Sequence, residues 1–553
     1  MVEERMIRKR VVAIAIILVA VIAVIGISHG KSEKQEKEIK DFTAFFDVQK
    51  SELNAENEIK EMIAEITGAR CWETWLVGQS RETVINTYIA SGEYPDFISG
   101  SYELYEAGAL VALDEYLDDY PYLKNYMKDY EWDRLRLEDG HIYWIPQFGV
   151  SNGGIEEYIH EGEAFWIQTR VLKWDDYPDI RTVEEYFDLI ERYMQANPVM
   201  EDGTPNIPYT ILCDDWRYFC LENPPQFLDG YPNDGCCMVD PVTNKVMDYN
   251  ITPTAKEYFR ILNEEYNKGF VDPESFPQTY EEYIAKLSTG AVLGMVDQWW
   301  QFYYAIDPIL YNQGLKEQGC DYVPLPITID RSVENQWHVK RNNEFDVSSG
   351  IAITTSCEDV RGALQFLNDL LSPDVMRLRF WGVEGIDYEV NEEGIFYRTP
   401  EQRVRGNNQE LGASHFCVYP YFPRKEGLSE DGKNAFSAEY QPEEAYAALP
   451  QDVRECLDAY GCKSYVDMLG SHDIPGVWYP MYSYTDMLTE SSEAGRVYKE
   501  IQEVKHMWLP QVVMAVDFET AWEAYMEAYH SCNPKILYEE MQKELERRIS
   551  TSS

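Results

Sequence analysis

Short apolar runs alternate along the chain with longer segments in which apolar residues recur every three or four positions. Residues 42–46 are mostly apolar and predict a strand, whereas residues 56–66 carry apolar side chains at 59, 62, 63 and 66, the spacing of one helical face. The alternation continues with strands near 69–75 and 95–98 and a helix at 81–91. This order predicts an α/β fold with a mostly parallel sheet.

A second block of alternating elements begins near Gly154. Residues 135–145, just before it, predict a hairpin with Glu138-Asp139-Gly140 as its turn. Thr182 followed by Glu185 has the spacing of a capping box and predicts a helix to about Gln195. The other predicted elements are a strand at 165–168, helices at 253–268 and 279–287, and a strand at 291–296. Two α/β lobes in succession imply a cleft between them, where ligands commonly bind.

The first 40 residues have the layout of an export signal followed by a linker. Basic residues at positions 5, 8, 9 and 10 precede an apolar run at 11–27, and residues 31–40 are mostly charged. The 17 apolar residues fall just short of the roughly 18–20 that span a bilayer comfortably, so cleavage and retention as an anchor both stay open. We expect the rest of the chain to be exported, either attached to the cell surface or secreted.

The net charge of the chain excludes one class of binding partner, the nucleic acids. The 553 residues include 97 Asp and Glu against 48 Lys and Arg, a formal charge of -49. Binding to nucleic acid needs a basic surface, and the sequence has no Lys/Arg-rich stripe, so no nucleic-acid partner is expected. The aromatic residues, 41 Tyr and 14 Trp against 21 Phe, favour rings with a polar group, which suit half-wet surfaces.

The cysteines and acidic loops predict no metal or cofactor. The 11 cysteines are scattered and include no CxxC pair of the kind that binds zinc. The polar loop at 201–205 lacks the Asp/Asn spacing of a calcium loop. Cys236 with Cys237, Cys213 with Cys220, and Cys456 with Cys462 are possible local disulfides, and the sequence does not choose among them.

Several segments match a known family in the same order along the chain. They are YIASGEYPDFI at 88–98, DGHIYWIPQ at 139–147, the stretch 288–300 that ends in Trp299-Trp300, GIAIT at 350–354, and WGVEGIDYEV at 381–390. In this order they resemble the extracellular solute-binding proteins (family 1) of ABC sugar importers, in particular the long lipoprotein-like branch of Gram-positive bacteria. The resemblance covers roughly residues 40–400 and is thin beyond them.

The resemblance implies a periplasmic-binding-protein type II fold, an α/β architecture of two discontinuous lobes with a hinge and an interlobe cleft. Residues 1–30 are then a signal peptide or anchor and 31–40 a linker. Lobe one takes 41–150 and 310–375, and lobe two takes 151–309 and 376–553 with a C-terminal extension. The branch carries a Cys directly after its signal, whereas the first Cys here is Cys71, which argues against a lipid anchor.

The function implied is capture of a carbohydrate, most simply an oligosaccharide, and its delivery to ABC permease subunits by a monomeric binding protein without catalysis. Sugar sites need aromatic faces for the C–H side of a pyranose, and carboxylates or amides for its hydroxyls. The candidate ligand-binding residues are Asp47, Trp72, Asp96, Ser99, Trp144, Gln147, Trp216, Asp297, Trp299, Trp300, Glu384 and Trp478. Each also has a structural interpretation: a Trp can lie in the core, and Asp96 or Glu384 can belong to a turn.

Two other functions compete with this interpretation. An exported carbohydrate-active hydrolase would need two carboxylates across its substrate, and Asp214 with Asp215 or Glu156 with Glu157 are candidates by type. A membrane-anchored extracellular sensor or adaptor would bind a sugar without transport.

Overall fold

The computed structural model describes residues 39–49, 57–151, 160–232, 235–340, 345–406, 408–416, 419–429, 431–485 and 487–551. The predicted export segment, most of the linker, Glu156, Glu157 and Cys417 lie outside the described residues. Within the described part, no helix is both long and apolar enough to cross a membrane.

The strands are short and spread along the chain. They are β1 (Lys40–Gln49), β2 (Ala69–Leu76), β3 (Phe97–Gly100), β4 (Trp144–Ile145), β5 (Glu163–Gln168), β6 (Ile207–Tyr209), β7 (Met238–Asp240), β8 (Lys245–Met247), β9 (Val292–Gln298), β10 (Tyr322–Leu325), β11 (Gly350–Ile353), β12 (Glu389–Val390) and β13 (Phe396–Tyr397).

Helices fill most of the intervals between strands. They are Glu58–Thr67, Arg81–Ser91, Tyr102–Glu106, Pro121–Lys124, Asp129–Asp133, Thr169–Trp174, Val183–Ala196, Phe219–Glu222, Pro224–Leu228, Pro253–Lys268, Tyr280–Ser288, Trp299–Asn312, Val360–Leu370, Pro373–Phe380, Pro400–Gly406, Gln409–Ser414, Pro442–Ala448, Gln451–Ala459, Tyr465–Leu469, Tyr482–Thr485, Glu493–Met514, Phe518–Ser531 and Lys535–Thr551. Single 3-10 turns occupy Leu117–Asp119, Asp215–Tyr218, Tyr249–Ile251, Lys316–Gln318 and Ala438–Tyr440.

Local sequence signals explain where several helices begin. Thr182 accepts a hydrogen bond from the Glu185 amide at 3.3 Å, and the Glu185 carboxylate accepts one from the Thr182 amide at 3.3 Å. This confirms the predicted capping box, a device that contributes about 1 kcal/mol to a helix start. The helix Pro253–Lys268 has the predicted bounds, with proline at its first position.

The two main sheets are mixed rather than mostly parallel. The first has the order β2-β1-β3-β11-β4, and the second β10-β5-β9-β6. β1 is parallel to β3, and β6 to β9, but β11 is antiparallel to both β3 and β4, and β5 to both β9 and β10. The prediction of a mostly parallel sheet is therefore wrong. The order of helices and strands along the sequence does not determine whether a strand is parallel or antiparallel when it joins its sheet after the chain has passed through the other lobe.

The predicted hairpin at 135–145 is also wrong. The turn forms, because the Gly140 amide donates to the Leu137 carbonyl at 2.9 Å. Only β4 becomes a strand there, and it pairs with β11, which lies some 200 residues later in the chain. Burial of Trp144 and Ile145 against β11 replaces local pairing.

Each main sheet has its own hydrophobic core, with a smaller separate cluster around Trp144 on the first sheet, and these cores define two lobes. In the first lobe, Phe42, Phe97, Phe366 and Phe422 pack edge to face and stacked at ring distances of 5.6 to 6.4 Å. The second lobe is larger and includes the C-terminal helices up to Leu545. Burial of this kind contributes roughly 25 cal/mol per Å² of apolar surface and decides which segments belong to which lobe.

These cores place the lobe boundaries differently from the expectation. The chain crosses between β4 and β5, returns between β10 and β11, and crosses again between Phe422 and Val453. The second lobe therefore extends past residue 309 to include β10, and much of 376–422 packs on the first lobe instead of the second.

Candidate functional site

Exposed aromatic rings lie at one edge of the second sheet. The 3-10 turn Asp215–Tyr218 and the helix that follows β9 bring Trp216 and Trp300 side by side, with ring centres 6.0 Å apart and planes 12° from parallel. Phe219 stacks on Trp216 at 5.9 Å. Trp216 is 50% exposed and Trp300 41%. We call Trp216, Phe219 and Trp300 the tryptophan platform, a flat apolar surface open to solvent.

Arg217 lies behind the tryptophan platform. Its guanidinium carbon is 4.6 Å from the centre of the Trp216 ring and 4.3 Å from that of Tyr280, within the range of a cation–π contact. Tyr280 is held by its hydroxyl, which donates to the Gln301 carbonyl at 2.7 Å. Asp215, which precedes Trp216 and Arg217, has φ of 53°, a left-handed conformation that Asp and Asn adopt more readily than other non-glycine residues.

The first lobe contributes a second aromatic group. Phe148 packs edge to face on Tyr421 at 5.8 Å, and the Arg424 guanidinium lies 5.0 Å from the Phe148 ring centre. Burial raises the pKa of the Tyr421 hydroxyl to about 12. Burial and then the charge of Asp297 raise the pKa of Tyr280 to about 12, and Tyr421 adds to that shift.

A polar cluster ties the crossing segment to the helix Trp299–Asn312. The Glu161 carboxylate accepts hydrogen bonds from the hydroxyls of Tyr304 and Tyr440, both at 3.4 Å. The backbone amides of Trp299 and Trp300 donate to the carbonyls of Gly162 and Glu161. The first turn of this helix, which contributes Trp300 to the tryptophan platform, is thus anchored to the connection between the lobes.

A cavity of about 940 Å³ is lined in part by the helix Trp299–Asn312. Trp299 and Tyr303 stack within its wall at 4.3 Å, and the Lys316 ammonium lies 5.5 Å from the Tyr303 ring centre. Its other lining residues include Tyr304, Asp307, Phe380, Arg398, Glu439 and Asp452. This volume is in the range of small-molecule sites.

Some predicted site residues lie near these surfaces. Trp216 and Trp300 form the tryptophan platform, and Trp299 lines the cavity although it is largely buried. Asp47 and Ser99 meet near the carboxyl ends of β1 and β3, where the Asp47 amide donates to the Ser99 hydroxyl at 3.3 Å. The Asp47 carboxylate already accepts from Arg81 at 2.7 Å, so its charge is compensated within the lobe.

Other predicted site residues are buried in the lobes. Trp144 donates from its indole to the Val347 carbonyl at 3.0 Å, and Trp478 lies in the second core. The Gln147 amide is buried and donates to the Tyr421 carbonyl. Asp297 is fully buried and accepts from Tyr283 and Gln301, each at 2.7 Å. None of these four side chains is available to a ligand in this structure.

Asp297 also has an unusual protonation state. Burial raises its pKa to about 7, although the hydrogen bonds from Tyr283 and from the Gln298 amide oppose that shift. Nearby Glu163 is buried as well, which holds the pKa of its carboxyl well above the usual range. These are core acids rather than ligand groups.

Three further candidates lie elsewhere on the first lobe. The Asp96 carboxylate accepts from the Thr43 amide and hydroxyl at 2.8 Å, at the amino end of β3 instead of its carboxyl end. Trp72 lies on the edge strand β2 beneath the cations of Lys60 and Arg70. Glu384 is exposed in a tight turn between two glycines of positive φ. The turn interpretation of Asp96 and Glu384 is the one that their contacts support.

Sequence reasoning missed the residues that surround the exposed rings. They are Phe148, Glu161, Arg217, Tyr280, Tyr421 and Arg424. Arg217 could have been found because it directly follows Trp216. Phe148 and Tyr421 carry no local signal, since they meet only when the segment after β4 and the late return to the first lobe come together.

The acid pairs considered for a hydrolase have structural roles where they are described. The Asp214 carboxylate accepts from the Tyr280 amide at 2.9 Å and caps that helix region, while Asp215 is exposed. Cys213, Cys220, Cys456 and Cys462 are free thiols, so neither of these pairs forms a disulfide, and the Cys236 and Cys237 sulfurs are 3.8 Å apart. The described residues contain no group of three or more His, Cys, Asp or Glu side chains placed to hold a metal ion.

No family model matches the chain. Among curated proteins, the fructooligosaccharide ABC transporter substrate-binding protein FusA of Streptococcus pneumoniae is 22% identical over 326 residues, which cover 55% of this chain and 56% of that relative. The match therefore spans little more than half the length of FusA.

Solved structures align over nearly the whole chain. The S. pneumoniae FusA complex with kestose aligns with a TM-score of 0.64 at 17% identity, covering 93% of this chain and all of that one. The alginate-binding protein AlgQ2 gives 0.63 at 16% identity over 92% and 98%. A human-milk-oligosaccharide-binding solute-binding protein of Bifidobacterium longum infantis gives 0.60 at 15% over 92% and 98%. The chain has the fold of these solute-binding proteins, which confirms the predicted two-lobed α/β architecture.

Proposed function

We propose that the chain belongs to the family 1 extracellular solute-binding proteins, and that it captures an oligosaccharide between its lobes and delivers it to an ABC permease. The observation that carries this proposal is the tryptophan platform, because exposed parallel indoles are costly in water unless a ligand covers them. Its position on a fold shared with sugar-binding proteins supports the same conclusion.

The chemistry of a sugar fits the surfaces that the two lobes present. The C–H face of a pyranose or furanose ring packs on the indoles of Trp216 and Trp300, while Phe148 and Tyr421 offer aromatic contacts from the first lobe. Hydroxyl groups have side-chain partners such as Ser99 near the end of β3. Ligand binding then favours the closed arrangement of the lobes by its higher affinity for that state, with no bond made or broken.

The wider biological setting is part of the proposal. The protein is exported through its N-terminal segment and works at the cell surface or after secretion, as a monomer, beside membrane permease subunits. Its relatives by sequence and structure are substrate-binding proteins, which supports binding instead of catalysis.

Calorimetry on the full chain tests this proposal. The panel contains fructooligosaccharides, mannose-containing N-glycan fragments, human-milk oligosaccharides and uronic-acid oligosaccharides. We expect heat of binding with at least one class, together with a smaller radius of gyration in small-angle scattering. Cleaved sugar in the chromatogram after incubation would establish a hydrolase instead, and a panel without any binding would refute the proposal.

A further inference from the structure

Arg217 is a buried cation whose side chain has no polar partner among the described residues. It is 8% exposed, and among the residues that the structure describes it has no ion pair and no side-chain hydrogen bond, while its Nε is buried and unsatisfied. The buried Arg379 and the partly buried Arg403 are satisfied by contrast. Arg379 donates to the carbonyls of Leu370, Tyr419, Phe422 and Pro423 at 2.9 to 3.3 Å, and Arg403 forms a two-pronged pair with Glu444.

The missing partner is notable because the chain is rich in acids. A guanidinium keeps its charge and all five of its N–H donors in a protein. The rings of Trp216 and Tyr280 attract that charge but accept none of these hydrogen bonds in the plane of the guanidinium. The chain has 97 acidic residues, and none of those that the structure describes forms an ion pair with Arg217. Of its acidic neighbours in sequence, Asp214 is engaged by the Tyr280 amide, and Asp215 acts on the pKa of His506.

We propose that Arg217 binds an anionic group of the ligand, and that the oligosaccharide taken by this site contains a carboxylate-bearing sugar such as a uronic acid. This inference rests on the proposed function and specifies its substrate class. The guanidinium fork matches a carboxylate in two parallel hydrogen bonds. The sugar ring that carries the carboxylate packs on the neighbouring indoles of Trp216 and Trp300, and the Arg217 guanidinium carbon lies 4.6 Å from the Trp216 ring centre.

The charge of the whole protein does not prevent this recognition. The net charge of -49 repels an approaching anion at long range, but salt screens charges beyond about 8–10 Å at physiological ionic strength. At contact distance, the attraction between the Arg217 guanidinium and the sugar carboxylate outweighs the screened repulsion from the rest of the protein.

The test uses matched pairs of ligands. Trisaccharides of galacturonic, glucuronic and mannuronic acid are compared with their methyl esters, which keep the ring and the linkage and remove the charge. We expect one free acid to bind at least about 10-fold more tightly than its ester. Arg217→Gln should weaken the acid by about 10- to 100-fold and the ester by less than about threefold. Arg331→Gln, which alters an exposed arginine paired with Asp179 and Glu185, is the control and should change neither affinity.

Thermal unfolding of the same variants provides a second readout. Removing an uncompensated buried charge should leave the melting temperature of Arg217→Gln equal to or above that of the unaltered protein. A markedly lower melting temperature would assign Arg217 a structural role and overturn the inference. Equal affinity for acids and esters, or binding of neutral oligosaccharides alone, would overturn it while leaving the proposed function intact. Absence of binding across all sugars would refute both.

Discussion

The Trp300→Ala substitution tests the tryptophan platform most directly. Trp300 is 41% exposed, which corresponds to roughly 100 Å² of a side chain that can bury about 150–250 Å². A sugar ring that covers one face buries about half of that area, which contributes roughly 1.3 kcal/mol at about 25 cal/mol per Å². Specific ring contacts add about 0.5–1 kcal/mol. We therefore expect a loss of about 2 kcal/mol, which is a roughly 30-fold weaker Kd.

The assay is calorimetric titration of whichever oligosaccharide binds the unaltered chain. Trp174→Ala is the matched control, because Trp174 is 42% exposed and contacts Tyr193 on the second lobe, away from the tryptophan platform. Both variants lose one half-exposed indole, so their stabilities should change by similar amounts, about 1 kcal/mol. Only Trp300→Ala should lose affinity. A folded Trp300→Ala protein that binds within about twofold of the unaltered chain would refute the assignment of Trp300 to the site.

Three further substitutions probe the core and the first lobe. Trp299→Ala removes a buried indole stacked on Tyr303, and we expect it to lower the free energy of unfolding by about 3–5 kcal/mol, measured by urea denaturation. Asp297 has a pKa raised by burial to about 7, so the folded state holds a proton that the unfolded state releases near pH 4. Its contribution to stability is therefore full below about pH 4 and falls as the pH rises towards 7, and Asp297→Asn should flatten that fall, whereas an unchanged pH profile would contradict the shift. Phe148→Ala should weaken sugar binding by about 10-fold and change stability by less than about 1 kcal/mol, and a purely structural effect would contradict its place in the site.

Local signals in the sequence located many elements but not the pairing of the strands. The capping box at Thr182 and the proline at the start of Pro253–Lys268 act within one turn of helix, so their effect is visible in a few consecutive residues. Strand direction in β11 and β5 depends on the path of the chain through the other lobe, which no short window contains.

Several of the predicted site residues are buried in this structure. Trp144, Asp297 and Trp478 have residue types that bind sugars, and the sequence placed Trp144 at the predicted crossing between the lobes and Asp297 after a predicted strand. Each side chain nevertheless lies in the interior of a lobe, where burial raises the pKa of Asp297 to about 7 and the Trp144 indole donates to a backbone carbonyl. Packing of the neighbouring helices decides whether a side chain at the end of a strand faces the cleft or the core.

By itself, the sequence determined the class of fold, the alternation of helices and strands, and the likeness to solute-binding proteins, because these depend on local spacing and on motifs kept in order. It also pointed to Trp216 and Trp300. Only the tertiary structure brought those two indoles together, placed Arg217 between the rings of Trp216 and Tyr280, and set Phe148 beside Tyr421. The physical reason is that these contacts join residues far apart in the chain, and the burial of two separate cores decides which of them meet.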